Sequence, residues 1–506
     1  MTSLMDCSLR EMRQKIADLR PDSAVKILNI LAQHPEIEYI EAGFVDTDKE
    51  FLRIVLAASH AAKITVFGRA TMDTAREIID LGAPVATLVA KARKRDVERS
   101  LGLDPIEYLD MVAISVGMLV SNGIEVIFDA EHLFDAIKKD DKEYAVSLLR
   151  KVLDAGARWL VLCDTNGSLQ IKDLEGTVKY LVARGIPINK IGIHLHNDRG
   201  RATALAEAAF ELGVEHFQGT FTGHGERAGN LPLSVFVPNL VVDYGFVGVS
   251  VDNLKQYFKS YQRICELFGI DPDPNMPWVG GEVFGTSAGL HISGDAKDKG
   301  SYLHESPEIV GNKAKIKLTP MGGKSALRQK AKEVGIEIPE DRLDELFGKF
   351  KELYGSGVLL GDAKASLCLW LKKELGLLKT SFFITSCQLV DNCVPGIVIN
   401  AKVTLEMTLC GQSKVSNATG EGPVNALENA IRGVLCESFP GLNSVRMGNY
   451  DLTMIDMGEG SAALVRIFCD FTDGDKTWRT VGVGKDSFKA ALIAIKEGYH
   501  YKIAVL

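Results

Sequence analysis

Eight times between residue 1 and about residue 245, a short apolar run rich in β-branched side chains gives way to a longer stretch of helical period. That alternation is the pattern of βα units wound around a parallel sheet. The runs are Leu4–Asp6, Ile37–Gly43, Lys63–Gly68, Val85–Val89, Glu125–Asp129, Trp159–Asp164, Ile191–His196 and His216–Thr222. Helical period fills Pro21–His34, Thr71–Leu81, Pro105–Asn122, Asp141–Ala155 and Arg201–Leu212 between them. Eight such units in this length predict an α/β chain opening on a (β/α)8 TIM barrel. A doubly wound open sheet more often has about five or six strands, and its Gly-rich first βα turn is missing here.

The pattern stops at Asp271–Trp278, where three prolines fall within eight positions and read as an extended connector. Gly280–Leu327 is Gly-rich and mixed, and Asp341–Leu378 carries a helical Leu, Phe and Trp period. After Thr380 alternating strands take over, and two halves repeat at an offset of 62 residues. Val403, Leu405 and Met407 answer Val465, Ile467 and Cys469, and Gly420 and Gly422 answer Gly482 and Gly484, each pair of glycines entering a helix. This is a duplicated βββα unit. The expected domains are therefore a catalytic TIM barrel over 1–270, a linker with two small mixed or helical subdomains over 271–384, and a duplicated C-terminal domain over 385–506. No acid, base or ligand cluster stands out in the last, which fits regulation or dimerisation.

With 58 basic against 66 acidic side chains and a net charge of −8, the chain has no basic excess for nucleic acid or an anionic membrane. Its nine cysteines include no C-x-x-C pair, no apolar run approaches the ~20 residues of a membrane span, and the N-terminus has no leader pattern. The expected place is the cytoplasm.

Chemistry gathers at the expected strand ends. In Ile193-His194-Leu195-His196-Asn197-Asp198, residues two apart on a strand point the same way, so both imidazoles leave one face at the barrel mouth. Two such imidazoles make half of a divalent-metal site, to be completed by oxygen ligands or water; the plain alternative is a pair of core or surface histidines. In Asp6-Cys7-Ser8-Leu9-Arg10-Glu11, ending the first strand, Glu11 can give a hard carboxylate and Arg10 a planar cation for an oxyanion or a carboxylate. Read alone, that pair would be a solvated helix start. Gly219–Asn230, after the eighth strand, has glycines that allow close backbone approach, and Asn230 is a neutral oxygen donor. Glu131 and Asp164-Thr165-Asn166 add acids and hydroxyls at neighbouring tips, where a carboxylate can also be a simple helix cap.

Taken together, Leu9-Arg10-Glu11, His194-Leu195-His196-Asn197-Asp198 and Gly223-His224-Gly225-Glu226-Arg227-Ala228-Gly229-Asn230 resemble the metal-dependent Claisen-type acyltransferases that include 2-isopropylmalate, homocitrate and citramalate synthases. Phe128–His132, Leu162–Gly167 and Gly420–Leu427 are most similar to the citramalate branch. The resemblance implies a divalent cation (Zn, Mn or Mg) held by Glu11, His194 and His196 with Asn230 nearby. It implies that Arg10 polarises the ketone oxygen, Gln14 contacts the 2-oxo acid, and Glu131 stands near the thioester methyl. His291 and Tyr302 match a catalytic histidine and tyrosine that reach the partner subunit's barrel, so a homodimer follows. Thr165 is expected near the substrate, and Arg199 could meet a longer or doubly acidic one. The duplicated tail implies feedback by an amino-acid end product.

The chain departs from the resemblance in places. Most members have Leu-Arg-Asp-Gly where this one has Leu9-Arg10-Glu11-Met12, with Arg13 adding a charge, and Thr286 replaces a family histidine. The implied reaction joins acetyl-CoA to a 2-oxo acid, pyruvate or 2-oxoisovalerate, with release of CoA, in branched-chain amino-acid biosynthesis. Glu11 leaves open a homocitrate-type enzyme using 2-oxoglutarate. A lyase of the hydroxymethylglutaryl-CoA type would follow its histidines with Asp-Thr and carry a Gly-Cys-Pro loop, which this chain lacks. Met12-Arg13 leaves open a paralogue that only senses metabolites through residues 385–506.

Overall fold

The computed structural model describes residues 2–15, 19–58, 61–139, 141–287, 302–379, 382–390 and 400–505. Eight strands close a parallel barrel in sequence order: β1 (Ser3–Asp6), β2 (Ile37–Phe44), β3 (Lys63–Arg69), β4 (Val85–Lys91), β5 (Glu125–Glu131), β6 (Trp159–Asp164), β7 (Ile191–Leu195) and β8 (His216–Gly219). The expected TIM barrel is therefore what the chain forms. β8 stops at Gly219 rather than Thr222, because the chain turns there to hydrogen-bond back on Leu231. β1 stops at Asp6, and Arg10 and Glu11 lie on a helix, Ser8–Lys15, rather than on the strand. The Asp6 carboxylate accepts from Ser8 N at 2.9 Å at the start of that helix.

Period two sorts the strand side chains. Met5, Tyr39, Val85, Ile127, Trp159, Val161 and Cys163 form one buried cluster with Cys7. Along β5 the same parity runs Glu125, Ile127, Asp129, Glu131, so one strand carries a polar residue at its base, an apolar one above it, then acids toward the mouth. At the base, His216 Nδ1 meets Ser3 Oγ at 3.2 Å, and the imidazole stacks on Trp159 with centroids 5.0 Å apart. Residues at the C-terminal ends of the strands are left to form a site at the mouth.

The chain divides into two compact units: Met1–Phe284 with Glu305–Ala314, and Gly285–His304 with Lys315–Leu506. In the first, Asn312 donates to the carbonyls of Trp278 and Gly280 at 3.0 and 2.9 Å, tying the 305–314 segment to the end of the proline-rich connector. The second starts with a short parallel ribbon of β9 (Gly285–Thr286) and β10 (Lys315–Ile316), followed by helices Gly323–Glu333, Leu343–Gly355 and Lys364–Glu374. The helical expectation over 341–378 thus resolves into two helices separated by the turn around Leu360.

Then come two antiparallel sheets, β11 (Phe382–Val390), β12 (Ala401–Leu409), β13 (Gln412–Gly420) and β14 (Arg446–Met454), β15 (Val465–Thr472), β16 (Thr477–Gly484). Each is followed by its helix, Pro423–Ser438 or Ser487–Ala504. The repeat read from the sequence is a structural one. Val403, Leu405 and Met407 and their counterparts Ile467 and Cys469 share one core with the two helices. Helix Lys364–Glu374 joins it through Ala365, while Ser366 Oγ accepts from Val481 N at 2.9 Å. No helix among the described residues is long and apolar enough to cross a membrane.

The repeated glycines have a packing reason. A Cβ on Gly420 would sit 2.3 Å from Ala426 N, and one on Gly482 would sit 2.0 Å from Ala490 O, so in each half the following helix presses on strand backbone. Gly482→Ala should therefore destabilise the chain by about 1–3 kcal/mol in chemical denaturation, as overpacking does. Gly422→Ala, where a Cβ meets nothing within 4 Å and only the preference for Gly over Ala at the helix N-cap is lost, should cost no more than about 1 kcal/mol.

Candidate metal and substrate site

The first and last strands of the barrel are neighbours, so residues at opposite ends of its sequence meet at the mouth. Ser8 Oγ accepts from Phe221 N at 2.9 Å, pinning the start of the helix that carries Glu11 to the loop after β8. That loop runs back beside the end of β7: Asn197 N donates to Gly229 O at 2.8 Å, Leu231 N donates to Leu195 O at 3.1 Å, and His196 and Asn230 stand opposite each other in an antiparallel bridge. Gly225 lies so close that a Cβ there would fall 1.9 Å from Asn230 Oδ1 and 3.4 Å from Glu11 Oε2.

The outcome is a buried cluster. Ligand-capable atoms of Glu11, His194 and His196 all lie within 4.8 Å of one another. Glu11 Oε1 is 3.8 Å from His194 Nε2, and the two imidazole centroids are 5.1 Å apart. Both histidine tautomers are set from behind. His194 Nδ1 is 2.8 Å from Gln218 Oε1, an acceptor only, so Nδ1 carries the proton and Nε2 keeps its lone pair. Gln218 in turn donates through Nε2 to Asp129 Oδ1 at 2.9 Å. His196 Nδ1 donates to the Asp164 carbonyl at 3.1 Å, and on the other side Asn230 Nδ2 lies 3.3 Å from His194 Nε2 and Glu226 Oε2 lies 4.0 Å from His196 Nε2.

Burial sets the charge states. Desolvation, then the neighbouring His196, lowers the His194 pKa to about 3, so the ring is neutral at physiological pH. Burial would raise Glu11, but Arg10 and the two histidines outweigh it and hold the carboxyl below its usual range. Asp129, desolvated and facing Glu41, is pushed up to about 8 and is largely protonated at neutral pH. Arg10 donates from Nε to Glu41 Oε2 at 2.6 Å and from Nη1 to Glu11 Oε1 at 2.7 Å, with its guanidinium carbon 4.6 Å from the Phe67 centroid.

These donors fit a divalent cation. The neutral His194 imidazole presents a lone pair with His196 beside it, an ionised carboxylate faces them, and Asn230 Oδ1 is buried with no hydrogen-bond partner among the described residues. The Arg10–Glu11 pair is a helix start, as a plain reading allows, but a buried one.

Arg10, Glu11, His194, His196 and Asn230 are thus brought together; the other expected residues are spread out. Gln14 is exposed on the Arg10 helix and lines a cavity of about 460 Å³ bounded by Phe44, Phe67 and Val89. Glu131 is ion-paired with Lys91 at 2.7 Å, and Thr165 Oγ1 accepts from His132 N at 2.8 Å. Asp164 is not the cap of the next helix, which starts at Ile171 after Gln170; its carboxylate accepts from Ser168 N and Leu169 N in the loop before it. Arg199 is exposed, and it is Arg227 that grips Asp198, with two contacts of 2.8 Å. Thr286 is in β9, and Tyr302 is exposed in the second unit. His291 lies outside the described residues.

Sequence reading missed Glu41, Asp129, Gln218 and Glu226, whose N–H points to Glu11 Oε2 at 3.4 Å. The first three are polar residues inside otherwise apolar strand runs, and that anomaly was the available signal.

Three known family models match most of the chain, one after another. The HMGL-like model matches residues 2–257, the homocitrate synthase post-HMGL domain-like model 278–357, and the LeuA allosteric (dimerisation) domain model 364–503. The (R)-citramalate synthase of Aquifex aeolicus is 33% identical over 486 residues, covering 92% of this chain and 91% of that protein. The (R)-citramalate synthase of Streptomyces coelicolor is 33% identical over 485 residues, covering 92% and 90%. The chain belongs to the citramalate synthase family of HMGL-like enzymes. Among solved structures, the hydroxymethylglutaryl-CoA lyase of Pseudomonas aeruginosa matches at a TM-score of 0.47 and 16% identity, over 54% of this chain and 94% of that one.

Members of this family are acyltransferases that condense acetyl-CoA with a 2-oxo acid, and they depend on a divalent metal. The Glu11, His194 and His196 cluster is the candidate metal site in this one. The glutamine behind His194 gives a direct test of that site. Gln218→Leu should weaken Mn binding, read by calorimetric titration on the folded variant, by about 10–100-fold, because the imidazole loses the acceptor that fixes its tautomer, and should lower the melting temperature, because Asp129 loses its buried partner as well.

Proposed function

We propose that this member of the citramalate synthase family condenses acetyl-CoA with pyruvate, releasing CoA and forming citramalate, in branched-chain amino-acid biosynthesis in the cytoplasm. The observation that carries the reading is the buried Glu11, His194 and His196 cluster beside a guanidinium clamped by two carboxylates; the naming of the relatives as citramalate synthases supports the acceptor.

Glu11, His194 and His196, with Asn230, would hold the cation, which when bound supplies Lewis acidity toward the 2-oxo acid. Arg10, fixed in orientation by Glu41 and by the Phe67 ring, donates to the keto oxygen as charge builds on it. A base removes a proton from the thioester methyl, and the roles fall to Glu131 and to His291 with Tyr302 of a second subunit. The carbanion forms the new C–C bond at the keto carbon, the resulting alkoxide takes up a proton, and water cleaves the thioester, with CoA leaving as the thiol. Gln14 and Thr165 line the approach of the acceptor. The enzyme acts as a homodimer through its C-terminal domain, which also receives an amino-acid effector.

Thiol release from acetyl-CoA, with Mn or Mg present, should be fastest with pyruvate among pyruvate, 2-oxoisovalerate and 2-oxoglutarate. His194→Ala and His196→Ala should abolish it while the circular dichroism and melting profile stay as in wild type. Silence with every acceptor, or full activity in either variant, would overturn the reading, and silence would leave the metabolite sensor. Light scattering should give twice the chain mass, and leucine or isoleucine should slow CoA release; an enzyme indifferent to both amino acids removes the effector from the proposal.

A further inference from the structure

The cavity beside Arg10 has a wall whose charges cancel. Arg10 lies over Phe44 and Phe67, at 6.0 and 4.6 Å from their centroids, and both rings also line the cavity. Three and four residues further along the same helix, Arg13 and Gln14 continue that wall. Arg13 is a departure from the family's usual residues here, and a free guanidinium in this place would be expected to capture a second carboxylate on the acceptor.

It is not free. Arg13 Nη1 binds Asp48 Oδ1 at 2.9 Å, its guanidinium carbon lies 4.0 Å from the Phe51 centroid, and its Nε is buried out of reach of a ligand. The other Asp48 oxygen accepts from Phe44 N at 2.9 Å, so this carboxylate is held on two sides and keeps the arginine in place. The charged residues of the wall are Arg13, Arg69, Asp46 and Asp48, two of each sign. Phe44, Phe67 and Val89 supply apolar lining, and Gln14 and Thr47 uncharged polar lining.

We propose that the Arg13–Asp48 ion pair selects 2-oxo acids with an uncharged side chain, and that Asp48 is the residue that keeps 2-oxo dicarboxylates out. The proposal deepens the condensation reading above and rests on it. Both residues determine specificity and take no part in the chemistry.

The test measures 2-oxoglutarate as a competitor of pyruvate in the thiol-release assay, with 2-oxobutanoate as the uncharged control. Asp48→Asn leaves Arg13 without its partner, and the Ki for 2-oxoglutarate should fall about tenfold relative to that for 2-oxobutanoate. Arg13→Met leaves Asp48 unopposed, and the same ratio should rise. The double variant should return to within about threefold of wild type, since the wall is neutral again. Melting profiles identify any variant that has not folded, and the two single variants test the idea independently with opposite expected signs. A ratio unmoved in a folded single variant, or moved the same way in both, overturns the proposal while leaving the condensation reading intact. A wild-type chain silent toward every 2-oxo acid overturns that reading and this proposal with it.

Discussion

The mouth of the barrel is organised around one buried cation. Arg10 is held between Glu41 and Glu11 at 2.6 and 2.7 Å, and neither its own side chain nor those of its partners are exposed by more than 7%. Burying an ion pair costs desolvation that the attraction recovers only with good geometry, and losing one partner leaves an uncompensated charge. Here two carboxylates face a single guanidinium, so the trio carries an excess of negative charge. Asp129, neutral because burial suppresses its ionisation, does not add to it. Two carboxylates around one guanidinium, with the neutral His194 imidazole opening on them, are an electrostatic reason for a cation to enter.

Everything around this trio limits motion. Gln218 and the Asp164 carbonyl fix the two imidazoles, and Phe67 covers a face of the guanidinium. Ser8 joins the first helix to the last loop. Such supporting contacts determine where lone pairs and N–H groups point, which is what electrophilic activation requires. The Arg13–Asp48 pair extends the same logic outward, one further turn along the helix.

Much of the fold was legible because eight apolar runs and an offset repeat are periodic signals, and period reports which face is buried. The His194 and His196 pair was legible for the same reason, two residues on one side of a strand. Glu11 and Asn230 were legible only as oxygen donors near a strand end and in a Gly-rich turn, since a lone acid and a lone amide carry no period, and the resemblance supplied their roles. Glu41, Asp129 and Gln218 escaped because their importance comes from strand neighbours that only closure of the barrel supplies: His194 lies level with Gln218 across β7 and β8. Side chains such as Glu131 and Arg199 were legible as polar residues at strand tips. Their partners, Lys91 for Glu131 and solvent for Arg199, come from three-dimensional placement.

The hydrogen bond between Ser8 and Phe221, which joins residues 213 apart in the chain, has a bearing on how the molecule is made. Glu11 and Asn230 lie on either side of all but the first strand of the barrel, so the cluster is assembled by the pairing of β1 with β8 and by nothing earlier. Ring closure over so long a loop is entropically unfavourable and kinetically slow. A ligand bound only by the closed state stabilises it by mass action. The seam of the barrel is thus where the candidate metal site lies, and a cation held there would act as a fastener on the last joint the chain has to make.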